Sequence, residues 1–231
     1  MSDAVRIAVV GATGLIGRSV IETASGREDV RLTGIARREM QLPRGVRMEM
    51  FVADPANWGQ VFEAVRPEVL VCALGTTWNK AGRDETAFRA VDEQLVIDTA
   101  RAAKNHGCER LVAVSSTGAD ATSRNIYLRV KGEVERALTG MKFHRLDILR
   151  PGLLRGQRGE DRRMGERLGI LAAPLSDRLL RGRMRGMRSI EAAEVARAAL
   201  WLATRKAAGR FVHDNDGIHR AANYLPMTAE G

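Results

Sequence analysis

One short stretch limits this 231-residue chain more than any other: Gly11-Ala12-Thr13-Gly14-Leu15-Ile16-Gly17. It follows an apolar run, Val5-Arg6-Ile7-Ala8-Val9-Val10, and leads into Leu15, Ile16, Ser19 and Val20 at helical spacing. The three glycines free the backbone for different ends. Gly11 permits a tight turn, Gly14 lets a ligand approach the main chain, and Gly17 lets the helix pack on the strand. A helix starting here aims unpaired N–H groups and its positive dipole end at whatever sits over the turn, which suits a phosphate. The glycines are spaced three-and-three, not two-and-three as in the usual dinucleotide fingerprint.

The chain continues in the same alternation. Further strands are expected at 30–36, 46–52, 69–74, 110–114 and 144–150, with helices from Asn57 to Arg66, Asp84 to Asn105, and from a Ser123 cap to about Leu138. The run Val69–Leu74 is apolar throughout, as a strand buried on both faces should be. This order predicts an α/β fold: a Rossmann-like doubly wound parallel sheet with a small C-terminal substrate cap. Residues 1–231 read as one nucleotide-binding domain, with a core over 1–152 and the cap and sheet end over 153–231. Past Pro151 the pattern loosens to helices near Glu160–Leu171 and Ile190–Thr204 and a short strand at Phe211–His213.

The second strand speaks to the ligand. A dinucleotide site of this kind places an acid about 20 residues past the glycines, on the ribose 2′-hydroxyl. This chain has Arg37 and Arg38 there. A guanidinium binds a 2′-phosphate that a carboxylate would repel, so NADP(H) is expected over NAD(H). Glu39 is the rival, as an acid that swings in. Asp54 either meets an adenine edge or starts the helix after it.

Tyr127 and Lys131 lie four residues apart, one helical turn, and so share a face. Upstream, Ser115-Ser116-Thr117 ends the fifth strand. A free phenol ionises near pH 10, and an adjacent ammonium favours the phenolate. A phenol, an ammonium and a strand-end hydroxyl at the carboxyl edge of a sheet suit proton transfer during carbonyl reduction. Ser116 is the expected hydroxyl, with Ser115 and Thr117 as rivals.

These residues resemble the short-chain dehydrogenase/reductase superfamily in its atypical branch. The match extends through Leu74-Gly75-Thr76-Thr77, Lys80-Ala81-Gly82, Val91-Asp92, Gly118-Ala119-Asp120, Val130–Glu135 and Arg150-Pro151-Gly152. It is similar to the Tat-interactive-protein-like NADPH-binding oxidoreductases and their bacterial relatives over roughly residues 5–165. The resemblance implies Tyr127 as proton donor or acceptor with Lys131 and Ser116 beside it. It implies cofactor contacts from Gly11, Thr13, Gly14, Leu15, Ile16, Gly17, Arg37, Arg38, Asp54, Leu74, Gly75, Thr76, Tyr127 and Lys131. Leu154 and Arg162 are implied to close over the nicotinamide end. Some relatives are implied to act as cofactor-sensing regulators rather than catalysts.

Composition narrows the rest. There are 37 basic and 28 acidic residues, a net charge of +9, and ten arginines against four acids fall within residues 155–188. Such an excess suggests nucleic acid, but only 4% of residues are aromatic and no reader motif accompanies it. A smaller polyanion, the cofactor, is the better partner for Arg37 and Arg38. Two cysteines, Cys72 and Cys108, point to a reducing compartment, and with no signal peptide recognised at the N-terminus the expected location is cytoplasmic. No apolar run reaches the roughly 18–20 residues of a membrane span. No metal is expected; His213, Asp214, Asp216 and His219 read as a tight turn after a strand. Trp78 either covers the nicotinamide or packs. The expected partner is a small-molecule substrate of unspecified identity, for a monomer or homodimer, because the short cap disfavours a sugar nucleotide.

Overall fold

A computed structural model of the chain describes residues 4–156, apart from 44 and 47, and residues 188–225. Its main sheet has seven parallel strands: β1 (Val5–Val10), β2 (Val30–Ala36), β3 (Glu49–Val52), β4 (Val69–Cys72), β5 (Arg110–Val114), β6 (Arg145–Leu149) and β9 (Gly209–His213). Their order is β3-β2-β1-β4-β5-β6-β9. The chain winds outward from β1 in one direction and from β4 in the other. A crevice therefore opens between β1 and β4 at the carboxyl ends of the strands, where α/β proteins bind ligands. A two-residue ladder, β7 (Leu154–Arg155) with β8 (Ile190–Glu191), stands apart. The Rossmann-like α/β fold expected from the alternation is present.

Helices cover both faces. On one, α1 (Leu15–Ala24), α6 (Ala192–Ala203) and α7 (Asn215–Asn223) pack onto Ile7, Val9, Val69, Val71, Val112 and Leu149. On the other, α2 (Trp58–Val65), α4 (Leu95–Asn105) and α5 (Ile126–Gly140) pack onto Ala8, Val10, Leu70, Cys72, Leu111 and Ile148. Successive strand residues thus alternate between two cores, which is why the strands read as unbroken apolar runs. Both cysteines are buried and free.

Several local expectations shift. The segment read as one helix from Asp84 is α3 (Glu85–Arg89), a π-helical turn (Ala90–Gln94) and α4 in succession, with the Asp84 carboxylate accepting from Ala87 N at 2.7 Å. A π turn inserts an extra residue and re-aims the side chains within it. Here it carries Asp92 to complete burial. The cap of α5 is Asn125, which accepts from Leu128 N at 3.2 Å; Ser123 accepts from Asn125 N two residues on, a local turn instead. The turn expected at 213–217 is the start of α7, because Asp214 accepts from Gly217 N at 2.8 Å and caps it. The helix expected near Glu160–Leu171 lies outside the described residues.

Candidate functional site

The loop after β1 is built by close approach. Gly11 has φ +87°, and a Cβ on it would lie 2.5 Å from the Ala73 carbonyl oxygen. A Cβ on Gly17 would lie 2.2 Å from the Gly11 carbonyl oxygen, so α1 is pulled against the strand end. Gly14 is exposed and is the N-cap of α1, with no side chain capping it. The first N–H groups of α1 thus face a cavity of about 680 Å3 lined by Thr13, Gly14, Leu15, Ile16 and Arg18. That volume lies within the usual range for a cofactor or ligand.

The same cavity runs past the ends of β4, β5 and β6. Ala73–Thr77, Val114–Thr117 and Pro151–Leu154 line it, with Tyr127 and Lys131 of α5 and Asp92 of the π turn. Gly132 lets α5 in: a Cβ there would sit 2.1 Å from Ala121 N. Lys131 Nζ lies 2.7 Å from Asp92 Oδ1, and both side chains are almost wholly buried. The other Asp92 oxygen accepts from Thr76 N at 2.7 Å, so one carboxylate ties the helix to the β4 loop. Burial opposes the charge on Lys131, yet the Asp92 carboxylate and the Tyr127 phenol outweigh it, and the ammonium holds its proton more tightly than an ordinary lysine. Lys131 Nζ is 6.0 Å from the centre of the Tyr127 ring. That ring packs 5.6 Å from Phe88, and Phe88 packs 5.6 Å from Trp78. Trp78 therefore braces the tyrosine through Phe88.

The three strand-end hydroxyls part company. Ser115 Oγ donates to Glu135 at 2.5 Å, and Thr117 Oγ1 donates to the Arg150 carbonyl at 2.9 Å. Ser116 Oγ makes a long 3.4 Å contact with the Thr117 carbonyl and faces the cavity. Buried Glu135 also receives Arg150 Nε at 2.9 Å and Nη2 at 2.5 Å, which locks β5, β6 and α5 together behind these hydroxyls.

Of the residues singled out in the sequence, Thr13, Gly14, Leu15, Ile16, Arg38, Leu74, Gly75, Thr76, Ser116, Tyr127, Lys131 and Leu154 meet in this cavity. Gly11 and Gly17 serve behind it by shaping the turn. Arg37 and Asp54 are exposed and do not line it; Asp54 accepts from Ala56 N at 2.9 Å and caps a short helical turn. Arg162 lies outside the described residues. Sequence reasoning missed Asp92, Arg18 and Glu135 as site residues. For Asp92 and Glu135 the available signal was an acid on an otherwise inward-facing helix surface. His213 and His219 do not converge: His213 meets Asp147 at 2.8 Å and His219 meets Glu194 at 3.1 Å. Among the described residues no helix is long and apolar enough to cross a membrane.

These features suit a dinucleotide: an uncapped helix N-terminus, a glycine that leaves the backbone open, arginines on one side and an anchored ammonium on the other. Comparison with known proteins agrees. A family model described as NAD(P)H-binding matches residues 11–202. The mitochondrial protein FMP52 of Saccharomyces cerevisiae is 37% identical over 178 residues, covering 76% of each chain. That of Lodderomyces elongisporus is 31% identical over 213 residues, covering 88% of each. Among solved structures, UDP-glucose 4-epimerase of Thermus thermophilus in complex with NAD superimposes with a TM-score of 0.67 at 18% identity, over 97% of this chain and 85% of that one. MoeE5, solved with UDP-glucose and NAD, gives 0.67 at 16% identity, over 98% and 85%. The expected cytoplasmic location is corrected by the relatives, which are mitochondrial by name. A low thiol count reports a reducing environment but does not say which compartment supplies it. The chain belongs to the NAD(P)H-binding family and has a Rossmann-like α/β fold.

Proposed function

We propose that the chain is an NADP(H)-dependent oxidoreductase that reduces a small carbonyl compound. The observation that carries this reading is the convergence of Tyr127, Ser116 and the buried Lys131–Asp92 pair on the cavity that the glycine turn opens. When bound, the dihydronicotinamide supplies the hydride. Ser116 donates to the substrate oxygen and orients it, its hydroxyl making a long 3.4 Å contact with the Thr117 carbonyl. Tyr127 delivers the proton to the alkoxide that forms, so one hydride and one proton convert the carbonyl to an alcohol. Lys131 stays cationic under Asp92, stabilises the tyrosinate left behind, and holds the ribose hydroxyls. Thr13–Ile16 at the start of α1 hold the diphosphate. The positive arginines near β2 favour the 2′-phosphate of NADP(H). Pro151–Leu154 begin the small cap at the substrate end.

The test combines binding and turnover on the purified chain. NADPH should bind, and be oxidised in the presence of at least one member of a broad panel of small aldehydes and ketones. Tyr127→Phe should cut turnover at least 100-fold with NADPH affinity held within about two-fold. Tight NADPH binding with no turnover on the whole panel would instead favour a cofactor-sensing protein.

A further inference from the structure

We propose that Lys80 binds a carboxylate on the substrate, so that the carbonyl compound reduced here is an oxo acid. The inference rests on the carbonyl-reduction reading above and deepens it by naming the substrate class. Lys80 lines the cavity together with Ser116 and Tyr127. It stands in the loop between β4 and α3, and that loop is tied to the reacting end at two points. Thr76 N donates to Asp92, which pairs with Lys131. Trp78 packs on Phe88, which packs on Tyr127. The loop is also closed on itself. Lys80 N donates to Thr77 Oγ1 at 3.2 Å, Ala81 N to the Thr77 carbonyl at 3.0 Å, and Arg83 N to the Trp78 carbonyl at 2.9 Å. Gly82 and Arg83 take φ of +68° and +59°, left-handed backbone that turns the chain back after Lys80. A charge on a loop so held is positioned before a ligand arrives.

Charge narrows the substrate. Among the described residues that line the cavity, the charged ones are Arg18, Arg38, Lys80, Lys131 and Asp92. The two arginines belong to α1 and to the segment past β2, on the glycine-turn side. Lys131 and Asp92 neutralise each other at 2.7 Å. Val114–Thr117 and Pro151–Leu154, which line the tyrosine end, are uncharged. Among these residues the net charge beside Tyr127 is therefore the ammonium of Lys80. Lys80 has a contact of its own within the chain, and an ammonium carries three donors, so others remain for a ligand. One ammonium suits a carboxylate monoanion through a charge-assisted hydrogen bond. The start of α3 adds nothing for a phosphate, because the Asp84 carboxylate already caps it. The carboxylate is held and not transformed: the hydride goes to the carbonyl carbon and the Tyr127 proton to its oxygen.

The experiment follows steady-state oxidation of NADPH by the full chain with a series of short oxo acids, each beside its methyl ester. For at least one pair, wild type should show kcat/KM about ten-fold or more higher for the acid, mostly through a lower KM. Lys80→Gln should bring that ratio to within about two-fold of one, Lys80→Arg should keep most of it, and Lys80→Glu should push it below one. Lys80 is exposed, so each variant should melt near wild type. Turnover of acids and esters alike by wild type would overturn this inference and leave carbonyl reduction standing. An acid preference that survives both Lys80→Gln and Lys80→Glu would overturn the Lys80 assignment alone. Turnover of no oxo acid, ester or other small carbonyl compound would overturn the carbonyl-reduction reading and this inference with it.

Discussion

The two ends of the cleft are built in opposite ways. At the α1 end the groups that line it are the glycine turn with its backbone N–H atoms and the side chains of Arg18 and Arg38, partly open to water. At the α5 end they are side chains paired on buried carboxylates: Lys131 on Asp92, both buried, and the half-buried Ser115 and Arg150 on Glu135. The first end depends on shape and on charges that cost little to hold in water. The second depends on charges that survive burial only as partners. Ligand affinity and fold stability should therefore separate at the α1 end and be inseparable at the α5 end.

The largest test of that contrast is Asp92→Ala. Removing one member of a buried pair leaves the Lys131 ammonium uncompensated, and stability should fall by about 3–5 kcal/mol in denaturant titration. The double variant Asp92→Leu with Lys131→Met should regain most of that loss while remaining without turnover. A single variant as stable as wild type would break the comparison.

Alkaline pH reaches the same end. Burial pushes the Cys72 thiol up from 9.0 to about 11 and Cys108 to about 12, and Lys131 is also raised above its ordinary value. A group whose folded pKa is raised contributes stability that is complete below its unfolded pKa and lost as pH rises through the folded value. The melting temperature should hold steady up to about pH 9 and then fall through pH 11, with Cys72 alone accounting for on the order of 3 kcal/mol. Cys72→Ala should flatten the first part of that fall.

Glu135→Gln removes a charge-assisted pair with Arg150, and about 1–3 kcal/mol of stability should go with it. Because Ser115 and Arg150 frame Ser116, kcat should drop more than KM rises. Smallest is Arg38→Ala. It should change stability by less than about 0.5 kcal/mol, as substitutions of exposed side chains generally do.

The same division governs what could be read from sequence. The glycine turn, the apolar strands and the Tyr127–Lys131 pair are local patterns, and local patterns carry their geometry with them. Asp92 meets Lys131 across 39 residues, and it does so because a π turn interrupts a helix whose periodicity gave no sign of it. Arg37 and Arg38 are adjacent letters that only the folded chain separates into one that faces the cavity and one that does not. Asp54 and Asp214 are short acids that cap the helical turns following them, which for Asp54 is one of the two readings the sequence leaves open. Ser123 lost the α5 cap to Asn125 because a serine bonds its own backbone two residues on as readily as it starts a helix.

The ladder of β7 and β8 has a consequence for how such a chain can change over evolution. Leu154 pairs with Ile190, Ile190 N donates to the Leu153 carbonyl at 2.9 Å, and Arg155 meets Glu191 at 3.2 Å. Asn215, buried at the head of α7, accepts from Gly152 N and donates to the Arg188 carbonyl, both at 2.9 Å. Residues 152–155 and 188–191 are therefore held together in one stitched seam. The entropy of joining two points on a chain grows only with the logarithm of their separation, so a seam of this kind costs little more to close when the two sides lie further apart in sequence. Selection is then free to change the spacing between the two sides of the seam while the seven-stranded sheet stands still.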